Sequence, residues 1–174
     1  MTVLVEKSPD VFIAPGPIAS IGAAEIELLK DALARSTKGR VRVNLHPDAA
    51  DTLHEMFIVL SRDSYIRPHR HAGKSEAFHV VYGEVDVVIF EDDGSLREVV
   101  KLGEGMPDRA FYYRMSQPFF HTLNIRSELL VVHEITNGPF VQGGTEFAAF
   151  APEEGAPTAD VWRRELAARL EAMS

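Results

Sequence analysis

The chain has 174 residues, 45% of them hydrophobic and 25% charged, a composition that suits a single soluble globular domain and excludes a disordered or low-complexity protein. Its 26 acidic residues outnumber 18 basic ones and give a formal charge of −8, so the surface repels nucleic-acid backbones and anionic lipids. With no cysteine, a disulfide framework, an Fe–S cluster, a cysteine zinc finger and a cysteine nucleophile are all excluded.

At this size a folded chain buries roughly 70% of the surface its unfolded form exposes, so a metal is not needed for stability alone and any metal calls for a functional account. The N-terminal MTVLVEKSPD lacks a basic segment followed by an apolar stretch, and no apolar run approaches the ~18 residues of a membrane span. The expectation is a cytoplasmic protein with neither nucleic acid nor membrane as partner. Residues 10–20, DVFIAPGPIAS, hold two prolines and a glycine and predict an extended, irregular strap. In IGAAEIELLKDALARS, Ile21, Ile26, Leu29 and Leu33 recur at helical spacing with charged residues between them, which predicts an amphipathic helix ending before Ser36, Thr37 and Gly39.

From residue 41 to about 150 the sequence turns to short runs rich in Val, Ile, Phe and Tyr. Strands are predicted at 41–45, 56–61, 65–71, 76–82, 85–90, 96–102, 110–114, 119–125 and 129–135. Tyr82-Gly83, EDDG and GEG are hairpin separators. Many strands at hairpin spacing with no helices between them predict an antiparallel sandwich or barrel. After the loop APEEGAPTAD, a terminal amphipathic helix is predicted with Asp160 as its N-cap. The organisation expected is one structural domain: strap and helix over 1–40, β-barrel over 41–150, loop and helix over 151–174.

The chemistry concentrates in YIRPHRHAGKSE. Strand side chains alternate faces, so His69 and His71 project from one face about 6–7 Å apart, close enough to grip one ion. Glu76, after a short loop containing Gly73, can return beside them, and His121 offers a further imidazole from a later strand. Imidazoles with a carboxylate suit Fe(II), Mn(II), Ni(II) or Zn(II) and suit Ca(II) poorly. The plainer alternative is a pair of solvated histidines. Tyr65 and Arg67 share the parity of His69 and His71, which would bring a phenol and a guanidinium to the same cavity as catalytic candidates. The guanidinium is suited to a substrate carboxylate or phosphate; the alternative is a rim arginine, paired with a glutamate or solvated. Arg70, of opposite parity, is expected in solvent or at an interface. His79 is expected to be packed outside the site, His133 to be a core or supporting histidine, and His46 and His54 to lie on the surface. Phe111, Tyr112, Tyr113, Phe119 and Phe120 could line a pocket, but aromatic residues at alternating strand positions are expected in the barrel core. Glu55 joins Tyr65 as a candidate acid or base.

The pattern His69-x-His71-x4-Glu76-x6-Gly83, with His121 downstream, resembles the two motifs of the cupin superfamily. That resemblance implies a small jelly-roll barrel holding one divalent transition metal through His69, His71, Glu76 and His121. A closer resemblance, from about residue 26 to 155, is to the WbuC-type cupins, carried by RVRVNLH, YIRPHRH, the EDDGS hairpin, FFHTL, NGPF and FAPEEG. Three positions depart from the superfamily pattern: Asp63 and Pro118 stand where it has glycine, and Ile125 stands where it has asparagine, with Asn124 one place before. The WbuC-type family is associated with bacterial surface-polysaccharide gene sets. The implied function is a small metalloenzyme acting on a small polar or anionic substrate, such as a sugar derivative, by isomerisation or epimerisation. A dioxygenase, if the ion is iron, and a non-catalytic sugar- or metal-binding module are the alternatives. Open sheet edges and the frequency of two-fold symmetry predict a homodimer.

Overall fold

The computed structural model describes residues 2–173. In chain order the elements are β1 (Val5–Ser8), β2 (Val11–Ile13), α1 (Ala23–Leu33), β3 (Arg40–Asn44), β4 (Leu53–Ser61), β5 (His69–His71), β6 (Glu76–Tyr82), β7 (Glu84–Phe90), β8 (Leu96–Gly103), β9 (Tyr112–Met115), β10 (Phe120–Ile125), β11 (Leu129–Asn137), β12 (Thr145–Phe147) and α2 (Ala159–Glu171). The strands form a seven-stranded sheet, β1-β2-β3-β4-β11-β6-β9, and a five-stranded sheet, β12-β5-β10-β7-β8. This is a mainly β fold of two sheets, antiparallel apart from the β2–β3 pair, with a helix toward each end of the chain.

Strand alternation sorts the apolar residues into three layers. The inner faces meet in a core of Leu60, Phe78, Val80, Val85, Val87, Ile89, Leu123, Leu130 and Val132. The outer face of the larger sheet, with Val41, Val43, Val59 and Val131, is covered by Leu29 and Ala32 of α1. The outer face of the smaller sheet, with Val88, Phe90 and Phe120, is covered by Leu166 and Leu170 of α2. Continuous valine runs in β7 and β11 follow from this arrangement, because strands buried on both faces need no polar alternation.

Glu25 reaches back at the start of α1, its Oε2 accepting from the Gly22 N–H at 2.9 Å and its Oε1 from the Thr2 N–H at 2.9 Å. The strap contributes β2, which runs parallel to β3 with α1 as the crossover. It thereby covers that edge of the sheet, and Phe12 and Ala14 are buried beneath it. The predicted 65–71 strand is shorter than expected: only His69–His71 pair, because Pro68 has no N–H for the ladder. The N-cap of α2 is Thr158, and Asp160 lies in the first turn, bonded to Arg163 at 2.9 Å. Phe111 and Tyr112 are 63% and 44% exposed on the outer side, so the expectation of a core role fails for these two. Phe120 instead supports α2.

Candidate metal centre

Register brings the motif residues together. His69 of β5 is directly opposite His121 of β10, and Thr145 and Phe147 of β12 lie opposite His71 and His69. Glu76 begins β6 on the facing sheet with its side chain directed inward. The tightest group is His69, Glu76 and His121, with one ligand atom from each all within 4.8 Å of one another. His121 Nε2 lies 3.1 Å from Glu76 Oε1, and His71 Nε2 lies 3.6 Å from Glu76 Oε2.

Each imidazole is held through its other nitrogen. His69 Nδ1 is 2.9 Å from the Arg67 carbonyl, His121 Nδ1 is 3.1 Å from the Phe119 carbonyl, and His71 Nδ1 is 3.1 Å from Thr145 Oγ1. A carbonyl only accepts, so in His69 and His121 the Nδ1 carries a hydrogen; this leaves the neutral His69 ring a lone pair on Nε2, whereas His121 Nε2 faces the Glu76 carboxylate and would give up a proton to a bound ion. This is the supporting arrangement found around metal-ligating histidines, and the His69, Glu76 and His121 group has the mixed N/O donors that could hold a divalent transition ion.

The electrostatics agree with that fit. Burial, reinforced by the neighbouring His121, lowers His69 to a pKa of about 4, so its ring is neutral at physiological pH. Burial also lowers His71. Glu76 is buried, which alone would raise its pKa, but the three surrounding imidazoles, His121 foremost, together outweigh burial and hold it as a carboxylate. Burial would lower His121, but Glu76, with the Phe119 carbonyl and Glu134, raises it overall. Tyr113 adds a hydroxyl, donated to Glu76 Oε1 at 3.3 Å.

The centre opens on a cavity of about 680 Å³ between the two sheets, lined by the three histidines, Glu76, Arg67, Arg42, Asn44, Met56 and Glu134 among others. That volume suits a small-molecule ligand. Arg67 is on this wall, but its guanidinium is engaged: Nη2 donates to the Ala148 carbonyl at 3.0 Å, and the group lies 5.3 Å from the Phe147 ring centroid. Tyr65 is placed differently from the parity expectation. Its hydroxyl donates to the Pro152 carbonyl at 2.8 Å, its ring meets Trp162 edge-on, and it is not part of the cavity lining. The alternation fails there because residues 65–68 precede the strand. Arg70 projects outward into Glu146 and Asp92, both at 2.8 Å.

Other expectations are corrected. Glu55 faces the outer side of β4 beside His133, away from the inward residues His54, Met56 and Ile58, so it does not serve the cavity. His133 stacks on Phe57 on that same side. His79 is exposed rather than packed. His54 is buried and stacks on His46 at 4.1 Å, and both line the cavity. The residue that sequence reasoning missed is Glu134. It sits inward on β11, and burial together with the Glu76 charge raises its pKa to about 8. Strand alternation carried the signal, since Glu134 has the inward parity that His133 lacks.

A family model described as a domain of unknown function (DUF6016) matches residues 21–102. No curated protein matches the chain. Among solved structures, the chain is similar to the capsular polysaccharide assembling protein CapF from Staphylococcus aureus, with 16% identity and a TM-score of 0.53 over 64% of this chain and 32% of CapF. It is also similar to protein SO0799 from Shewanella oneidensis, with 10% identity and a TM-score of 0.49 over 56% of this chain and 63% of that one. The chain therefore spans about a third of the CapF length and under two thirds of SO0799. With the sheet order and the His/Glu/His group already described, the likeness to CapF makes this chain a cupin-like jelly-roll barrel.

Proposed function

We propose that the chain is a WbuC-type cupin metalloenzyme, holding one divalent transition metal through His69, His71, Glu76 and His121. Its substrate is a small polar or anionic sugar derivative of surface-polysaccharide metabolism, which it isomerises or epimerises. One observation carries the reading: three imidazoles, each held through Nδ1, present Nε2 around a buried carboxylate at the wall of a ligand-sized cavity. The capsular polysaccharide role in CapF's description supports the substrate class. When bound, the metal would supply Lewis-acid polarisation of a substrate oxygen. The chain itself contributes the rigid imidazole frame and the carboxylate that offsets the ion's charge. Of Tyr65 and Arg67, only Arg67 lines the cavity, its guanidinium braced on the Ala148 carbonyl, while Tyr65 holds the C-terminal loop. A cytoplasmic homodimer is the proposed state.

The test is elemental analysis of protein purified without a nickel column, followed by NMR of sugar nucleotides incubated with the metal-loaded sample. About one equivalent of transition metal and a changed sugar stereocentre are expected. Absence of metal refutes the centre, and tight sugar binding without turnover replaces the enzyme with a binding module.

A further inference from the structure

The larger sheet carries a second set of polar groups into the cavity, and none of them belongs to the metal centre. On its inward face, register aligns Asn44, Met56, Glu134 and Phe78 in one row across β3, β4, β11 and β6. The next row toward the centre is His54, Thr136 and Glu76, and the row on the other side begins with Arg42 and Ile58. Glu134 is thus a diagonal neighbour of Glu76, roughly 7–8 Å away between Cα atoms. Asn44 lies two strand spacings from Glu134, roughly 10 Å.

These groups lack partners. Among the described residues, the Glu134 carboxyl makes no hydrogen bond or ion pair, nor does the Arg42 guanidinium, and Asn44 Oδ1 is buried with no donor. Of these, Asn44 Oδ1 is a buried atom left unpaired, which buried polar groups ordinarily are not, while Glu134 is half-buried and Arg42 is exposed at the cavity's edge. Their clustering on one cavity wall facing the histidines marks a surface completed by a ligand. Arg67, the cation that strand parity suggested for anion binding, donates through Nη2 to Ala148 and lies 3.9 Å from Glu153, though its Nε is unpaired; Arg42 is the arginine of this wall with neither hydrogen bond nor ion pair among the described residues.

We propose that Arg42, Asn44 and Glu134 form the ligand-recognition ledge of the cavity. Its ligand is a polyhydroxylated chain with one terminal oxyanion, whose hydroxyls bond to Glu134 and Asn44 and whose carboxylate or phosphate pairs with Arg42. The ledge deepens the sugar-derivative reading and rests on it for the position of the ligand's other end at the metal centre. A carboxyl group is suited to a vicinal diol because it can accept from one hydroxyl while donating to or accepting from the next. Arginine is suited to the terminal group because its planar fork matches carboxylate and phosphate oxygens.

The experiment titrates metal-loaded protein calorimetrically with D-gluconate, D-glucose 6-phosphate and D-glucose, with metal content measured in the same samples. One or both anionic sugars should bind at least tenfold more tightly than glucose; the preferred one identifies the oxyanion. Arg42→Ala should bring the anionic sugars down to the glucose level. Glu134→Leu should weaken all binding sugars about tenfold, and Glu134→Gln, which keeps hydrogen-bonding capacity, should restore most of it. Circular dichroism and retained metal establish that each variant is folded. Equal affinity for all three sugars, no binding of any, or wild-type affinity in Arg42→Ala and Glu134→Leu overturns the ledge. Arg42-dependent binding in a sample that takes up no metal would uphold the ledge and refute the metal centre.

Discussion

At the scale of single residues, Glu76 organises the centre, since it is the buried acid toward which His71 and His121 turn. Removing His69 or His71 therefore subtracts a donor that nothing nearby replaces. His69→Ala and His71→Ala should lose stoichiometric metal by elemental analysis, while His79→Ala, exposed on the outer face, should keep it. Two groups also link pH to the stability of metal-free protein. His69 takes a proton near 6.5 when unfolded but only near 4 when folded. Its contribution is complete above 6.5 and disappears as pH falls toward 4, at most about 3 kcal/mol. Glu134 has the opposite sign. It is neutral in the fold up to about 8 but ionised in the unfolded chain above ~4.5, so its contribution is present at low pH and lost as pH rises toward 8. Chelator-treated Glu134→Gln should match wild type near pH 4.5. It should exceed wild type at pH 8 by on the order of a few kcal/mol in urea denaturation; equal stability at both pH values would show that Glu134 is not held neutral.

At the scale of elements, the hairpin between β6 and β7 positions Glu76 at the far end of its strand. Gly83 turns it at φ +90°, where an added Cβ would lie 2.4 Å from the Leu129 carbonyl. Gly73, in the loop between His71 and Glu76, has φ +72° but open space around it. Gly83→Ala should cost about 2 kcal/mol or more and Gly73→Ala only the left-handed penalty of about 1 kcal/mol; equal midpoints in denaturant would refute the distinction. The β6 strand was legible in the sequence at both ends, and Glu84–Phe90 to within one residue, because their valine runs are long and bounded by turn residues. The three-residue strands β2 and β12 were not, since so few residues carry no periodicity. The motif itself was readable because period-two alternation places His69 and His71 on one face whatever surrounds them. Carrying the same parity back to Tyr65 failed at Pro68, where the ladder stops. The burial of His54 depended on its stacking with His46, a tertiary contact that no local pattern encodes.

At the scale of the molecule, the barrel has its own core and two helices sealing its outer faces, so a bound metal would add to stability without creating the fold. At about 100 times its dissociation constant an ion contributes about 2.7 kcal/mol. Chelation should therefore lower the melting temperature by roughly 5–10 °C while preserving the β spectrum, and full unfolding by chelator would show the core to be insufficient. The most direct test of the central claim is X-ray absorption at the edge of the metal found in protein purified without added nickel. The account predicts an N/O shell at about 2.0–2.2 Å with multiple scattering from three imidazoles, falling to two in His71→Ala if that variant is forced to load. A shell without imidazole scattering, or one unchanged by His71→Ala, would contradict it.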